Sequence, residues 1–339
     1  EQCALNRGLD EEWLRQYSLG DALGEGRFGR VRSCRHRDTD EMAAVKIIDP
    51  ARMPIEDCRR EAHLMDSLRH PNIAALRCVF DEGYFVCLVM DRFAGRSLLQ
   101  GLKRHRSEHG RTCSSRLVHI AAQASAALEF VHGRSILHGD VKCDNFFMDR
   151  PGLEDPSCVV VLGDFSLAQP LRSDYRLGTR GGGTTSHWSP ERCEMSLGYG
   201  HKDDTWALGV AMYTLLAGHL PFGEAGLEGL SAYPPRYSKR LVPGSKAFVC
   251  GLLERGEELR MSAAQAAEHP WVAGWQRGEV AAGQTAGTSR TEVEEAPEAC
   301  AGPVEDVMGA ANSLASKASQ PEDAFSSVDG PGEECQEWL

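Results

Sequence analysis

A glycine-rich segment followed by a lysine in an apolar strand is the feature that most constrains how this chain can fold. The segment Gly24-x-Gly26-x-x-Gly29-x-Val31 lies between two stretches typical of strands. Glycines, which lack a Cβ, let backbone amides approach a phosphate closely. Taken alone, the motif leaves two alternatives open, because it also suits a plain hairpin turn or, before a helix, a dinucleotide-binding fold.

Lys46 narrows those alternatives. It stands in the apolar run AVKII, where an ammonium group is costly to bury unless an anion meets it. A phosphate is a natural partner. Glu61 lies on a predicted amphipathic helix, IEDCRREAHLMDSLRHP, that ends at the His-Pro pair. It is placed to pair with Lys46, although a solvated helix carboxylate is the alternative for Glu61.

A polar segment at residues 138–145, HGDVKCDN, follows a long apolar helical stretch. It resembles the catalytic loop H-R-D-x-K-x-x-N of eukaryotic protein kinases. The resemblance implies that Asp140 accepts a hydrogen bond from the substrate hydroxyl, Lys142 meets the γ-phosphate and Asn145 holds magnesium. Lys46 and Glu61 then match the family's pair that holds the α- and β-phosphates.

Two further motifs follow in the family's order. DFS at residues 164–166 resembles the magnesium-binding D-F-G motif, and SPE at 189–191 resembles the A-P-E motif that closes the activation segment. The resemblance implies ATP and two magnesium ions, with Asn145 and Asp164 as the metal ligands. It makes Met90 the gatekeeper and places adenine against the backbone of Asp91 and Phe93. The full nucleotide site implied by the resemblance comprises Leu23, Gly24, Gly26, Phe28, Gly29, Val31, Ala44, Lys46, Met90, Asp91, Phe93, Phe147 and Asp164.

The resemblance predicts an α+β, two-lobed kinase fold over residues 17–275. Residues 17–93 form a small β-sheet lobe with one main helix, and residues 94–275 form a larger, mainly helical lobe. Apolar, turn-bounded stretches typical of strands, with one helix among them, come first and mainly helical patterns follow, in agreement with this division. Asp204 is expected to brace the catalytic loop, and Glu191 is expected to pair with Arg260.

The remaining residues, 276–339, have a different composition. They hold 13 Asp and Glu against 3 Lys and Arg, which accounts for −10 of the net charge of −12. Because aromatic residues are few there, we expect an acidic, low-complexity, disordered extension. A regulatory partner for it is possible but unknown.

Charge and composition also argue against several classes of function. Residues 1–275 carry 34 basic and 36 acidic side chains, a balance that disfavours nucleic-acid binding. No apolar run reaches the roughly 18 residues of a membrane span. The 12 cysteines occur singly, without a C-x-x-C pair, which favours reduced thiols in the cytoplasm or nucleus.

Two residues near the catalytic loop concern specificity and regulation. Lys142 and Thr184 match positions typical of Ser/Thr kinases, so protein substrates bearing Ser or Thr are expected. Gly139 stands where regulated kinases carry an Arg that grips an activation-loop phosphate. We therefore expect activity that does not depend on activation-loop phosphorylation. The candidate phosphorylation positions are Ser173, Tyr175, Thr179 and Thr185. In the alternative, Arg60 or Arg172 replaces the missing Arg.

Three other interpretations remain open from sequence. Gly139 and Ser166, the latter in place of the D-F-G glycine, would suit a pseudokinase scaffold with little activity. A kinase acting on a small molecule is a second rival, although the long activation segment favours a protein substrate. The string HGDxKxDNF also resembles the loop of the spindle-checkpoint kinases named for budding uninhibited by benzimidazole, so the subfamily stays undecided.

Overall fold

A computed structural model describes residues 11–26, 29–49, 51–81, 85–110, 117–172, 176–178, 182–194, 198–223 and 241–276. Several predicted features lie outside these ranges: Phe28, Ser173, Tyr175, Thr179 and the acidic residues from 277 onward.

The N-terminal part is a five-stranded antiparallel sheet with strand order β1-β2-β3-β5-β4. Its third strand is apolar throughout except for Lys46. Because successive side chains alternate across a strand, Ala43, Val45 and Ile47 pack with Trp13 in one apolar layer, and Lys46 points to the opposite face. The strands are β1 (Tyr17–Gly26), β2 (Gly29–His36), β3 (Met42–Ile48), β4 (Leu76–Asp81) and β5 (Val86–Met90).

Two helices accompany this sheet. Helix α1 (Glu11–Gln16) supplies Trp13, and helix α2 (Ile55–Ser67) turns Cys58, Ala62 and Met65 into the core together with Glu61. The sequence predicts α2 to continue to the His-Pro pair, but it ends at Ser67 and Leu68 is extended. Pro71 disfavours helical backbone at His70, the residue before it. The helix could therefore reach Arg69, but it ends two residues earlier, at Ser67.

The second part is mainly helical around one buried helix, α6 (His201–Ala217). Residues Asp203 to Leu215 of α6 are buried on all sides, as expected for the centre of a helical lobe. The helices are α3 (Leu98–His109), α4 (Val118–His132), α5 (Pro190–Cys193), α6 (His201–Ala217), α7 (Pro243–Leu252), α8 (Ala263–Ala267) and α9 (Pro270–Gln276). The architecture confirms the predicted two-lobed fold. In the described part of the chain, no helix has the length and apolarity to cross a bilayer.

Short strands position the loops between these helices. Strand β8 pairs with β6 on one side and β9 on the other, and β7 pairs with β10. The catalytic-loop sequence runs from the end of β7 to the start of β8, so both of its ends are fixed by strand pairing. The strands are β6 (Arg96–Ser97), β7 (Ile136–Leu137), β8 (Phe146–Met148), β9 (Val160–Leu162) and β10 (Gln169–Pro170).

Candidate active site

A triad of charged side chains joins β3, α2 and the DFS motif; Lys46 and Glu61 are buried, and Asp164 is partly exposed. Lys46 Nζ donates to Glu61 Oε1 at 2.7 Å and to Asp164 Oδ1 at 3.1 Å. Burial favours neutral Lys46, but the two carboxylates outweigh it and raise the pKa of Lys46. Burial also raises the pKa of Glu61, against the lowering effect of Lys46. The triad places a fixed cation on β3, beside Val31 of the glycine-rich segment.

The catalytic loop is held from below by Asp204 on α6. Its carboxylate accepts hydrogen bonds from the backbone N–H groups of His138 and Gly139, at 2.8 and 2.9 Å. The ring of His132 lies 2.9 Å from the same carboxylate. Burial alone would raise the pKa of Asp204, but His132 and the backbone hydrogen bond hold it below its usual value. The expected bracing role of Asp204 thus has a direct geometric basis.

Asp140 is the centre of a compact polar cluster. Its Oδ1 accepts a hydrogen bond from the Thr184 hydroxyl at 2.8 Å, and its Oδ2 lies 2.7 Å from Lys142 Nζ. Lys142 Nζ also donates to Thr184 Oγ1 at 2.8 Å. Asn145 Nδ2 donates to the Asp140 carbonyl at 2.8 Å and to its Oδ2 at 3.2 Å. A carboxylate held this firmly by donors on both oxygens can orient a hydroxyl with little reorganisation.

Asn145 and Asp164 fit the requirements of a magnesium ion that arrives with a nucleotide. The Asn145 amide nitrogen is used on Asp140, which leaves its oxygen as a hard ligand. Burial would raise the pKa of Asp164, but Lys46 and Ser166 outweigh it and keep the carboxylate ionised. Among the described residues, no three His, Cys, Asp or Glu side chains cluster to hold a metal by themselves. Magnesium often binds through one or two carboxylates plus phosphates and water.

Strand pairing places most of the predicted nucleotide residues on adjoining strands. Val31 is paired with both Gly24 and Lys46, and Ala44 is paired with Met90. Gly26 ends β1, and Leu23 is 43% exposed at the rim. The predicted adenine contacts therefore lie on three neighbouring strands and in the chain that follows β5, apart from Phe147, which lies on β8.

Close packing explains one glycine of this motif. A Cβ on Gly29 would lie 2.1 Å from the Ile47 carbonyl oxygen, so only glycine fits there. The rings of Phe93 and Phe147 stack with their centroids 5.8 Å apart. The Asp91 N–H donates to the Ala75 carbonyl at 3.3 Å, so this N–H is engaged within the chain.

An open cleft of 1430 Å³ runs past the catalytic cluster. Its lining includes the residues predicted to act on phosphate and hydroxyl groups, namely Asp140, Lys142, Asn145, Asp164 and Thr184. Lys103 of helix α3, the segment around His187 and Leu220 in the chain that follows α6 also line the cleft. Its volume exceeds the roughly 300–1,000 Å³ that is usual for pockets that hold drug-sized ligands.

The activation segment is attached at several points in the described part of the chain. Asp164 has a left-handed φ of +58° and faces into the site toward Lys46. Further along, Leu177 and Tyr199 exchange backbone hydrogen bonds of 2.9 and 3.0 Å. Arg176 contacts both carboxylate oxygens of Glu257, at 3.1 and 2.6 Å. These contacts fix the start and the middle of the segment.

The end of the segment is stabilised by a buried ion pair. Arg260 Nη1 and Nη2 donate to the two oxygens of Glu191, at 2.6 and 2.9 Å. Burial would raise the pKa of Glu191, but Arg260 outweighs it and lowers the pKa. The expected pairing of Glu191 with Arg260 is present.

Sequence reasoning missed a second buried pair beside it. Arg192 is 3% exposed and donates to Asp203 at 2.7 Å; Asp203 is 2% exposed. The available signal was the pair Asp203-Asp204 in an apolar helix, because two buried carboxylates each require a partner. His132 for Asp204 was missed for the same reason.

Comparison with known proteins agrees with this geometry. The family model for the protein kinase domain matches residues 17–272. Human serine/threonine-protein kinase D2 is 31% identical over 282 residues, covering 80% of this chain and 31% of that protein. Mouse ribosomal protein S6 kinase alpha-2 is 30% identical over 273 residues, covering 76% of this chain and 35% of that protein.

The chain thus spans about a third of the length of these relatives. The family match nonetheless runs from β1 to α9 and includes the whole of the Lys46, Asp140 and Asp164 constellation. On this evidence, the chain belongs to the protein kinase family.

Proposed function

We propose that this chain transfers the γ-phosphoryl group of ATP to Ser and Thr hydroxyls of protein substrates. Protein kinases in general use ATP with a divalent metal ion. The observation that carries the proposal is the Asp140 cluster, in which Thr184 and Lys142 hold the carboxylate at 2.8 and 2.7 Å at the floor of an open cleft.

In this mechanism the chain acts by positioning and by neutralising charge. Asp140 accepts a hydrogen bond from the incoming hydroxyl and aligns its oxygen. Lys142 stands beside it, where its ammonium group can meet the transferring phosphoryl. Lys46, held by Glu61, stabilises the negative charge of the α- and β-phosphates.

Asn145 and Asp164 would hold two magnesium ions in this proposal. The ions neutralise the negative charge of the phosphates when bound. The oxygen ligands of the two side chains support such binding, and the ionised state of Asp164 supports it further.

Preference for Ser and Thr rests on Thr184 and Lys142, which together occupy the wall beside Asp140. The printed names of the relatives support the same preference, since kinase D2 is a serine/threonine-protein kinase. Peptide libraries with Ser, Thr or Tyr as the only acceptor, set against small alcohols, would test this part.

Independence from activation-loop phosphorylation is the finer part of the proposal. It is supported by the Leu177–Tyr199 backbone pairing and the Arg176–Glu257 contact, neither of which needs a phosphate. Arg60, one alternative phosphate ligand, is engaged by Asp57 at 2.8 Å. Phosphatase-treated and untreated enzyme should have the same rate, and a large loss after treatment would refute this part.

The deciding experiment measures γ-phosphoryl transfer to a generic Ser/Thr protein by wild type and by Asp140→Ala. We expect transfer by wild type and a loss of several hundredfold or more in the variant, because removal of a positioned catalytic base typically costs about 10²- to 10⁴-fold. Equal background rates would favour the pseudokinase scaffold, for which Gly139 and Ser166 are the supporting residues.

Two further proposals rest on sequence and composition. An intracellular location is supported by the buried, unbridged thiols of Cys34, Cys58, Cys143 and Cys158. The acidic residues 276–339 suit a regulatory partner of unknown identity. Cell fractionation would test the first, and comparing rates with and without residues 280–339 would test the second.

A further inference from the structure

The guanidinium of Arg192 lies at the meeting point of three segments that surround the catalytic cluster. Its Nη1 donates to Asp203 on α6 at 2.7 Å and to the carbonyl of Gly139 at 3.3 Å. Its Nη2 donates to the carbonyl of Gly182 in the activation segment. One side chain thereby connects the central helix, the catalytic loop and the activation segment.

The position of the two carbonyls gives these contacts their importance. Gly139 immediately precedes Asp140, and Gly182 lies two residues before Thr184. Asp140 and Thr184 in turn share a 2.8 Å hydrogen bond. A group that fixes the peptides before both residues fixes the geometry of that hydrogen bond.

Packing leaves Arg192 little freedom to take another orientation. Its guanidinium carbon lies 4.3 Å from the Tyr199 ring centroid and 4.8 Å from the Trp188 ring centroid. The planar, multi-donor shape of arginine can serve three acceptors in different directions, which a lysine ammonium at the same place cannot do equally well. The contact with Asp203 also keeps a carboxylate that is 2% exposed from being buried without a counter-charge.

We propose that Arg192 is a positioning residue for phosphoryl transfer. Its guanidinium holds the peptide groups before Asp140 and Thr184 in their active arrangement and does so without a phosphate. The inference rests on the proposed kinase activity. Arg192 connects the catalytic loop to the activation segment at a place where Gly139 has no side chain to do so.

The second buried pair, Arg260 with Glu191, provides a matched control. It is also buried, but the other hydrogen bonds of Arg260 go to the carbonyls of Lys202, Glu254 and Arg255. None of these belongs to the catalytic loop. A purely structural role for Arg192 would make the two pairs behave alike.

The test neutralises both members of each pair, so that no buried charge is left without a partner. In the wild type, the Ser189 N–H donates to Asp203 Oδ1 at 3.1 Å. The variant Arg192→Met/Asp203→Asn keeps an acceptor for this N–H, because the asparagine amide also has an oxygen. The control is Arg260→Met/Glu191→Gln. Melting temperature, kcat, and KM for ATP and for peptide are measured for both, at a temperature where each is folded.

We expect the Arg192 double variant to lose about tenfold or more in kcat, because a hydrogen bond from a charged donor to each carbonyl is lost. Its KM for ATP should stay within about twofold, since Lys46 and Glu61 are untouched. The control should retain kcat within about threefold. Wild-type kcat in the Arg192 double variant, or an equal fall of kcat in both pairs, would overturn the proposal.

Arg192→Lys separates charge from geometry. It keeps a cation beside Asp203, so the melting temperature should stay near wild type, but kcat should remain several-fold low. Full activity with lysine would show that charge alone is sufficient and would overturn the positioning role.

Hydrogen exchange distinguishes this proposal from the proposed function itself. Backbone amide exchange at residues 138–142 and 182–188 is measured without ATP in wild type and in the Arg192 double variant. We expect at least about tenfold faster exchange in the variant. Unchanged exchange would overturn the proposal even if the wild type proves to transfer no phosphoryl group.

Discussion

Replacing Thr184 with Val removes one hydroxyl at the centre of the catalytic cluster while keeping the shape of the side chain. That hydroxyl donates to Asp140 Oδ1 at 2.8 Å and accepts from Lys142 Nζ at 2.8 Å. Both contacts join the hydroxyl to a charged group. The substitution should therefore act on the position of Asp140 rather than on the fold.

The magnitude follows from the contacts that are lost and those that remain. A hydrogen bond to a charged group contributes about 1.5–3 kcal/mol, which corresponds to roughly 10- to 150-fold in rate. Asp140 would keep Lys142 at 2.7 Å and Asn145 at 3.2 Å. We therefore expect Thr184→Val to lower kcat/KM for peptide by roughly 10- to 100-fold, less than Asp140→Ala does.

Steady-state phosphorylation of one peptide by wild type, Thr184→Val and Thr184→Ser checks this value. The serine variant keeps the hydroxyl and should retain kcat/KM within about fivefold. A valine variant within twofold of wild type would refute the reasoning, as would a serine variant as impaired as the valine variant. Circular dichroism of all three controls for folding.

Three further predictions concern stability. Burial lowers the pKa of His187 to about 4, so between pH 7 and pH 5 the unfolded chain gains a proton there that the folded chain does not. The unfolding free energy should fall by about 1–2 kcal/mol over that range, and by less in His187→Gln; equal falls in urea titrations would contradict this. Gly139 has a φ of +80°, so Gly139→Ala should cost about 1–2 kcal/mol. Gly24→Ala, with nothing within 4 Å of the added Cβ, should cost less, and the opposite order would exclude backbone strain as the cause. Arg260→Met leaves buried Glu191 without its partner and should cost about 3–5 kcal/mol by chemical denaturation; a loss below 1 kcal/mol would show that Glu191 is solvated or neutral.

Much of the fold could be predicted because its signals are local. The alternation within MAAVKII places Lys46 opposite the apolar layer of β3. The end of α2 could not be predicted to the residue. A His-Pro pair sets only the furthest point that a helix can reach and does not exclude an earlier end. Which of several apolar helices lies at the centre cannot be read from apolarity alone, because α4 and α6 are both rich in buried residues.

The order and spacing of the polar motifs were enough to select the residues that carry the proposed chemistry. Asp140, Lys142, Asn145 and Asp164 occur in short strings, and the structure brings them to one cleft together with Thr184. Their roles remain predictions, and Asp140→Ala and Thr184→Val test the role of Asp140. Phe28 lies outside the described residues, so its predicted contact with the nucleotide stays a prediction as well.

The sequence by itself determined that Gly139 provides no side chain beside Asp140, since that follows from one position in a recognisable string. Only the tertiary structure decided which side chain donates a hydrogen bond to the carbonyl of Gly139, and that side chain is Arg192. Arg192 is 53 positions from Gly139 and 11 from Asp203, and no local pattern connects these residues. Burial makes the connection obligatory, because a charged side chain removed from water must find its partners in whatever the fold brings near it.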